Sequence, residues 1–211
     1  MFKTVLLLLG LSGCCLAQRC CVPNTWEGIQ RQTAGSIKDG KPTVSVTDIK
    51  VHYDLTNFRA AFDENVTANG YTVQVKVIQM FKDGTEYIIS GNTCSKKMIP
   101  STPQTRCLPD TAKLEGKHFI VDGKNNVSFN TYKDEAKGVS VYVSLTEHCK
   151  PVSQVIYGAS NGVQFLSSDV FYDITDGIVD PAVFNIPAIC SNAKLIPSGK
   201  TDPSYKGVLS R

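Results

Sequence analysis

The chain lacks any apolar run, beyond its first residues, that approaches the roughly 20 residues a membrane helix needs, which excludes an internal helical span. It also lacks repeats, low-complexity tracts and a Pro/Gly/Ser-rich linker, so one domain is the expectation. Histidine is scarce. His52, His118 and His148 are far apart, no two have ligand spacing on one element, and all three are expected as strand histidines rather than zinc ligands. CxxC pairs are absent, which argues against a thiolate zinc site. Neither a phosphate loop nor a paired-carboxylate motif is present, so catalysis has no positive support and no enzyme is expected. Charge of one sign is missing too: the formal net charge is only +3, which argues against nucleic acid as the main partner.

What is there begins with Lys3, the apolar "VLLLLGLSG" and the small-residue exit "CCLA" before Gln18, the pattern of a secretory signal over residues 1–17. Cleavage after Ala17 would leave a single domain over 18–211, with net charge reduced by Lys3 to +2. The expected location is therefore extracellular or lumenal, with a lysosomal destination equally compatible. The C-terminal "SYKGVLSR" carries neither an ER-retention signal nor an anchor tail, and contact with a membrane surface stays compatible with these features.

The signal contains Cys14 and Cys15, leaving Cys20, Cys21, Cys94, Cys107, Cys149 and Cys190. In an oxidising compartment these read as three disulfides, for which six cysteines allow 15 pairings. Adjacent Cys20 and Cys21 point apart in most backbones, so they should tie the N-terminus to two different places. The shortest local loop favours Cys94 with Cys107, worth about 3 kcal/mol by chain entropy. Cys20 and Cys21 would then take Cys149 and Cys190 in either order.

Alternation of apolar and polar residues predicts strands. "YTVQVKVIQMFKDGTEYIIS" sets Tyr71, Val73, Val75 and Val77 against Thr72, Gln74 and Lys76, then turns at Asp83 and Gly84. "HFIVDGKNNVSFNTY" repeats the pattern around Asp122 and Gly123, and "GVSVYVSLTEHC" alternates Val139, Val141 and Val143 with Ser140, Tyr142 and Ser144. Further strands are expected at "TVSVTDIKVHYDL", "SQVIYG" and "GVQFLSSDVFYDI". Turn signals rather than long amphipathic helices follow these strands, so the domain should be all-β and antiparallel. Two short helices are expected, at "NFRAAFDEN" and at "DPAVFN", where Asp180 caps and Pro181 takes the first helical position.

Two sequons, at Asn65 and Asn126, mark surface positions for glycans. "GASNG" matches a nucleophile elbow around Ser160, but every histidine lies upstream and a strand follows. A hairpin turn with Asn161 and Gly162 at positive φ accounts for it. "FYDITDGIVDPAVFNIPAIC" holds Asp173, Asp176 and Asp180, yet counting from Asp173 puts Gly177 fifth and Phe184 where an EF-hand needs glutamate. Asp176 with Gly177 reads as a turn; Asp173 and Asp176 remain as calcium ligands only if distant residues complete the site.

Taken in order, "CCVPNTWEG", "VHYDLTNFRAAFDE" and "DVFYDITDGIVDPAVFNIPAIC" resemble the opening, early YD segment and C-terminal block of the ependymin-related proteins, over nearly the whole mature chain. The resemblance implies two stacked antiparallel sheets forming a half-open barrel, similar to bacterial lipoprotein carriers. It further implies a secreted or lysosomal glycoprotein, a homodimer, with a deep apolar pocket for a lipid or fatty acid and an association with calcium, and no enzymatic activity. A framework of Cys20 or Cys21 with Cys94, Cys149 and Cys190 carries over, while Cys107 and the doubled N-terminal cysteine depart from the vertebrate spacing. The competing expectation is a calcium-dependent matrix or adhesion glycoprotein acting through glycans and self-association.

Overall fold

A computed structural model describes residues 20–196, apart from 102, 104–106, 123, 137 and 161. The signal segment, the C-terminal tail and the turn positions Gly123 and Asn161 lie outside the described residues. The chain forms β1 (Thr25–Lys38), β2 (Lys41–Asp54), β3 (Arg59–Ala68), β4 (Tyr71–Met80), β5 (Thr85–Ser90), β6 (Thr93–Met98), β7 (Lys113–Asp122), β8 (Asn125–Ala136), β9 (Val139–Thr146), β10 (Pro151–Ser160), β11 (Val163–Asp176) and β12 (Lys194–Ile196).

All twelve strands belong to one hydrogen-bonded sheet in the order β12-β6-β5-β4-β3-β2-β1-β11-β10-β9-β8-β7. Every neighbouring pair is antiparallel except β12 with β6. The sheet does not close on itself: β12 and β7 stand at its two edges. The all-β expectation is met, and in place of two separate sheets the strands form one, continuous through the β1–β11 pairing. No helix among the described residues is long and apolar enough to cross a membrane.

Sequence chemistry explains the turns. Asp39 and Gly40, like Asn69 and Gly70, both have positive φ, the two-residue geometry that matches the right-handed twist of flanking strands. The register gathers these turns, with Gly91, Gly138 and Gly162, at one end of the sheet. The other end is covered by the N-terminal segment and the chain around Phe81 and Leu108. There Val22, Trp26, Ile49, Val51, Tyr53, Ala60, Phe81, Leu145 and Phe171 form the apolar core. Trp26 is fully buried and meets Tyr53 at 6.2 Å between ring centroids.

Two expectations are corrected. "NFRAAFDEN" is not a helix. Asp54 caps only the 3-10 turn Leu55–Asn57, with its side chain accepting from the Asn57 amide, and Phe58 then adopts φ 57, which ends helical geometry. The following Ala60 and Ala61 are both completely buried on opposite faces of β3, where small side chains let the sheet be covered on both sides. The expected Cys94–Cys107 bridge is also absent. The bridges are Cys20–Cys149, Cys21–Cys107 and Cys94–Cys190. Local loop entropy favoured the short loop, but tertiary placement decided: Cys107 forms an isolated antiparallel bridge with Cys21, and the turn Ala188–Cys190 packs on β6 beside Cys94. Cys20 and Cys21 do reach two different partners, as their adjacency requires.

The predicted short helix at Asp180 is a 3-10 turn, Pro181–Phe184, with the Asp180 carboxylate accepting from the Ala182 amide at 2.9 Å. Its Phe184 is buried.

Candidate functional site

In a pleated strand successive side chains alternate between faces, so the register sorts each strand into an inner and an outer set. Trp26, Gln30 and Gln32 of β1 align with Tyr53, Ile49 and Thr47 of β2, with Ala60, Glu64 and Val66 of β3 beyond them. On the other side Gln30 aligns with Phe171 and Gln32 with Asp169 of β11, and Asp169 with Gln154 of β10. Because the core residues all fall in this set, it is the inner face.

Above the core, toward the hairpin end, the inner face turns polar. Asp169 is completely buried, and Gln30, Gln32 and Gln154 are buried around it. Gln30 and Gln32 each donate from Nε2 to the same oxygen, Asp169 Oδ1, at 2.9 and 3.1 Å. Asp169 Oδ2 and Gln154 Oε1 have no hydrogen-bond partner of ordinary geometry. Burial pushes the Asp169 carboxyl up to about 6, and the hydrogen bonds from Gln30, Gln32 and Ser167 only partly offset that effect. Two glutamines therefore act as neutral donors to an acid that has no cation beside it.

Higher still, the inner face becomes apolar and half-buried. Val141 of β9, Ile156 of β10 and Phe165 of β11 form one wall, while Val66 of β3, Val75 of β4 and Ile88 of β5 form the other. The inner face thus carries half-buried apolar side chains beyond a polar group. A cleft of about 310 Å³ lies on the outer face of β5 and β6, beside the C-terminal segment, lined by Tyr87, Lys96, Ile186 and Pro187 among others.

The other expected site residues lie apart. Asp173 has φ 53 and sits, with Ile174, in a bulge where two residues of β11 oppose Gly28 of β1. Gly28 packs tightly there: a Cβ would come within 3.1 Å of the Ile174 side chain and 3.3 Å of the Tyr172 carbonyl oxygen. Asp176 faces the Lys150 ammonium at 3.0 and 3.1 Å through its two carboxylate oxygens. A calcium ion takes six to eight oxygens, and among the described residues no three acidic, histidine or cysteine side chains gather into a metal-holding group. Asp173 thus shapes the backbone of the bulge and Asp176 pairs with lysine.

Ser160 is the exposed last residue of β10 and leads through a turn containing Gly162, at φ 77, into β11, a hairpin rather than an elbow. His52 is buried on the outer face, 2.8 Å from Glu27 Oε1; His118 lies on β7 against Phe129, and His148 is exposed before β10. Asn65 and Asn126 are both exposed on strands. Sequence reading missed the Asp169 group. Its only signal was polar residues recurring with period 2, "QRQ" at 30–32 and "SSD" at 167–169, in strands otherwise destined for burial.

A single open sheet of twelve strands, braced by three disulfides, defines an all-β class of protein. The Ependymin family model matches residues 69–190, more than half of the chain, and the protein belongs to the ependymin family. The mammalian ependymin-related protein 1 of Rattus norvegicus is 24% identical over 184 residues, covering 84% of this chain and 78% of that protein. The Mus musculus protein of the same name is 24% identical over 198 residues, covering 90% and 84%. Among solved structures, a beta-barrel-like protein of a domain of unknown function from Brucella abortus overlaps 75% of this chain and 100% of its own. Its identity is 8% and its TM-score 0.32, too low to transfer any feature of the site.

Proposed function

We propose that this protein is a secreted, disulfide-bonded glycoprotein that binds a hydrophobic ligand, a lipid or fatty acid, within a cup formed by the inner face, without catalysis and without a required cofactor. The observation that carries the reading is the half-buried apolar wall of Val141, Ile156, Phe165, Val66, Val75 and Ile88 on the inner face of a sheet that stays open. Apolar side chains left half-wetted inside a curled sheet are unfavourable unless a guest covers them. An acyl chain gains about 0.8 kcal/mol per buried methylene, so about a dozen buried carbons supply roughly 10 kcal/mol against the cost of association. Exposure of Asn65 and Asn126 supports glycosylation, and three disulfides support an oxidising destination, extracellular or lysosomal. The homodimer follows from the family resemblance and is checked by sedimentation of the purified protein.

The test is titration of secreted protein with an environment-sensitive fatty-acid probe, with mass spectrometry of co-purified lipid. Probe emission should shift and be reversed by unlabelled lipid. Absence of both probe binding and co-purified lipid would overturn the reading.

A further inference from the structure

The floor of the inner face holds two buried acceptors that, among the described residues, receive no hydrogen bond of ordinary geometry, with the buried Ser167 hydroxyl as their one neutral neighbour on β11. Asp169 Oδ2 and Gln154 Oε1 belong to residues directly opposite each other on β11 and β10, and both atoms are buried without a hydrogen-bond partner. An ionised carboxylate can only accept, and burying it without a cation is costly. The side chains flanking it on the inner face are Gln30 and Gln32 of β1, Gln154 of β10 and Ser167 of β11, none of which titrates. The next inner-face acids are Glu64 on β3 and Asp134 on β8. Arg31 of β1 points to the other face, toward Asp48, and the described inner faces of β1, β10 and β11 place no basic side chain beside Asp169.

Resting on the cup reading above, we propose that the cup selects amphiphiles bearing a primary amine, whose ammonium head seats between Asp169 Oδ2 and Gln154 Oε1 while its tail lies along the apolar wall. An ammonium carries three donors and one positive charge, so it satisfies both acceptors and neutralises the acid. A neutral hydroxyl head supplies one donor and no charge. A carboxylate head places like charges together and must point toward the open end instead. Because the Asp169 carboxyl is held near pH 6, acidification to pH 5 protonates it and removes the charge that attracts the amine.

The experiment compares dodecylamine, dodecanol and dodecanoate, below their micellar concentrations, as displacers of one probe from the full secreted protein. At pH 7.5 dodecylamine should displace at least 10-fold more tightly than dodecanol, with dodecanoate weakest. The preference should vanish at pH 5.0 and in Asp169→Asn, and shrink in Gln154→Leu, which tests the same floor should Asp169→Asn fold poorly. Equal affinity of the three heads, or a preference untouched by both substitutions, overturns the amine assignment while leaving the cup intact. If no member of the series binds, the cup reading itself falls and the assignment with it.

Discussion

The guanidinium of Arg59 lies 4.2 Å over the ring of Phe184, and its Nε donates to Asp54 at 2.9 Å. One side chain thereby ties the start of β3 both to the cap of the preceding turn and to the C-terminal segment that lies across the outer face. Burial alone would raise the Asp54 carboxyl, but hydrogen bonds from Asn57 and Arg59 outweigh it and hold the group below its usual range. Arg59→Ala leaves Asp54 buried with less compensation and should cost about 3 kcal/mol. The single tryptophan, Trp26, is fully buried, so its fluorescence during urea unfolding reports the change. An unaltered midpoint would show the contact to be idle.

Asp169 gives the stability curve an uncommon sign. Its folded value of about 6 exceeds the ordinary 3.8, so between these limits the native state holds a proton that the unfolded chain has released. Its favourable contribution is complete below pH 3.8 and is lost as pH rises through about 6. The ionised form is disfavoured by about 3 kcal/mol. Asp54 acts oppositely: its contribution is present above its unfolded value and lost only as pH falls through its lower folded one. Asp169→Asn should flatten the decline between pH 4 and pH 6 and stabilise the protein at pH 7.5. Equal slopes for wild type and variant in urea titrations across that range would contradict this.

Disulfide mapping of unreduced peptides should recover Cys20–Cys149, Cys21–Cys107 and Cys94–Cys190. The last bridge spans 96 residues, and the chain-entropy model assigns a loop of that size about 4.7 kcal/mol. Cys94→Ser with Cys190→Ser should therefore destabilise strongly and loosen the Ala188–Cys190 turn from β6, which limited proteolysis would register. Recovery of a Cys94–Cys107 peptide would reverse the correction made above.

Gly158 is a packing glycine. A Cβ there would stand 2.6 Å from the Gly138 carbonyl oxygen and 3.0 Å from Val139 Cα, both backbone atoms that cannot swing aside. Gly158→Ala should cost about 1–3 kcal/mol by forcing β9 and β10 apart. The same substitution at Gly40, where the site is open but φ is +72, tests backbone strain alone. A Gly158→Ala protein as stable as wild type would mean the two strands part freely.

The outer strands were legible because their two faces differ in polarity. Val73, Val75 and Val77 against Thr72, Gln74 and Lys76 leave little choice of period, and β4 follows from them. The central strand β1 was not legible, since "TWEGIQRQTAGSIK" turns Gln30 and Gln32 inward and breaks the expected apolar alternation. The same two glutamines serve Asp169 from a distance of 139 and 137 residues in sequence. Local pattern carries no trace of a partner so remote, so the polar floor became visible only with the register of β1 and β11. At "NFRAAFDEN" the helical reading failed for a related reason: Ala60 and Ala61 suit a helix locally, and only burial on both faces makes them strand residues.

The order of strands also constrains how this chain comes to be folded. The strands β2 to β6 form one run of hairpins and β7 to β11 another, each joined to its sequence neighbour, while β1 lies at the seam and aligns with both β2 and β11. The first strand to leave the ribosome can zip to β2 at once, but its other edge waits for nearly the last. During that interval a long row of unsatisfied amides and carbonyls stands exposed, with Cys20 and Cys21 beside it and their partners not yet made. Oxidative folding of this protein therefore has to complete the seam while that edge stands open to pairing with another chain.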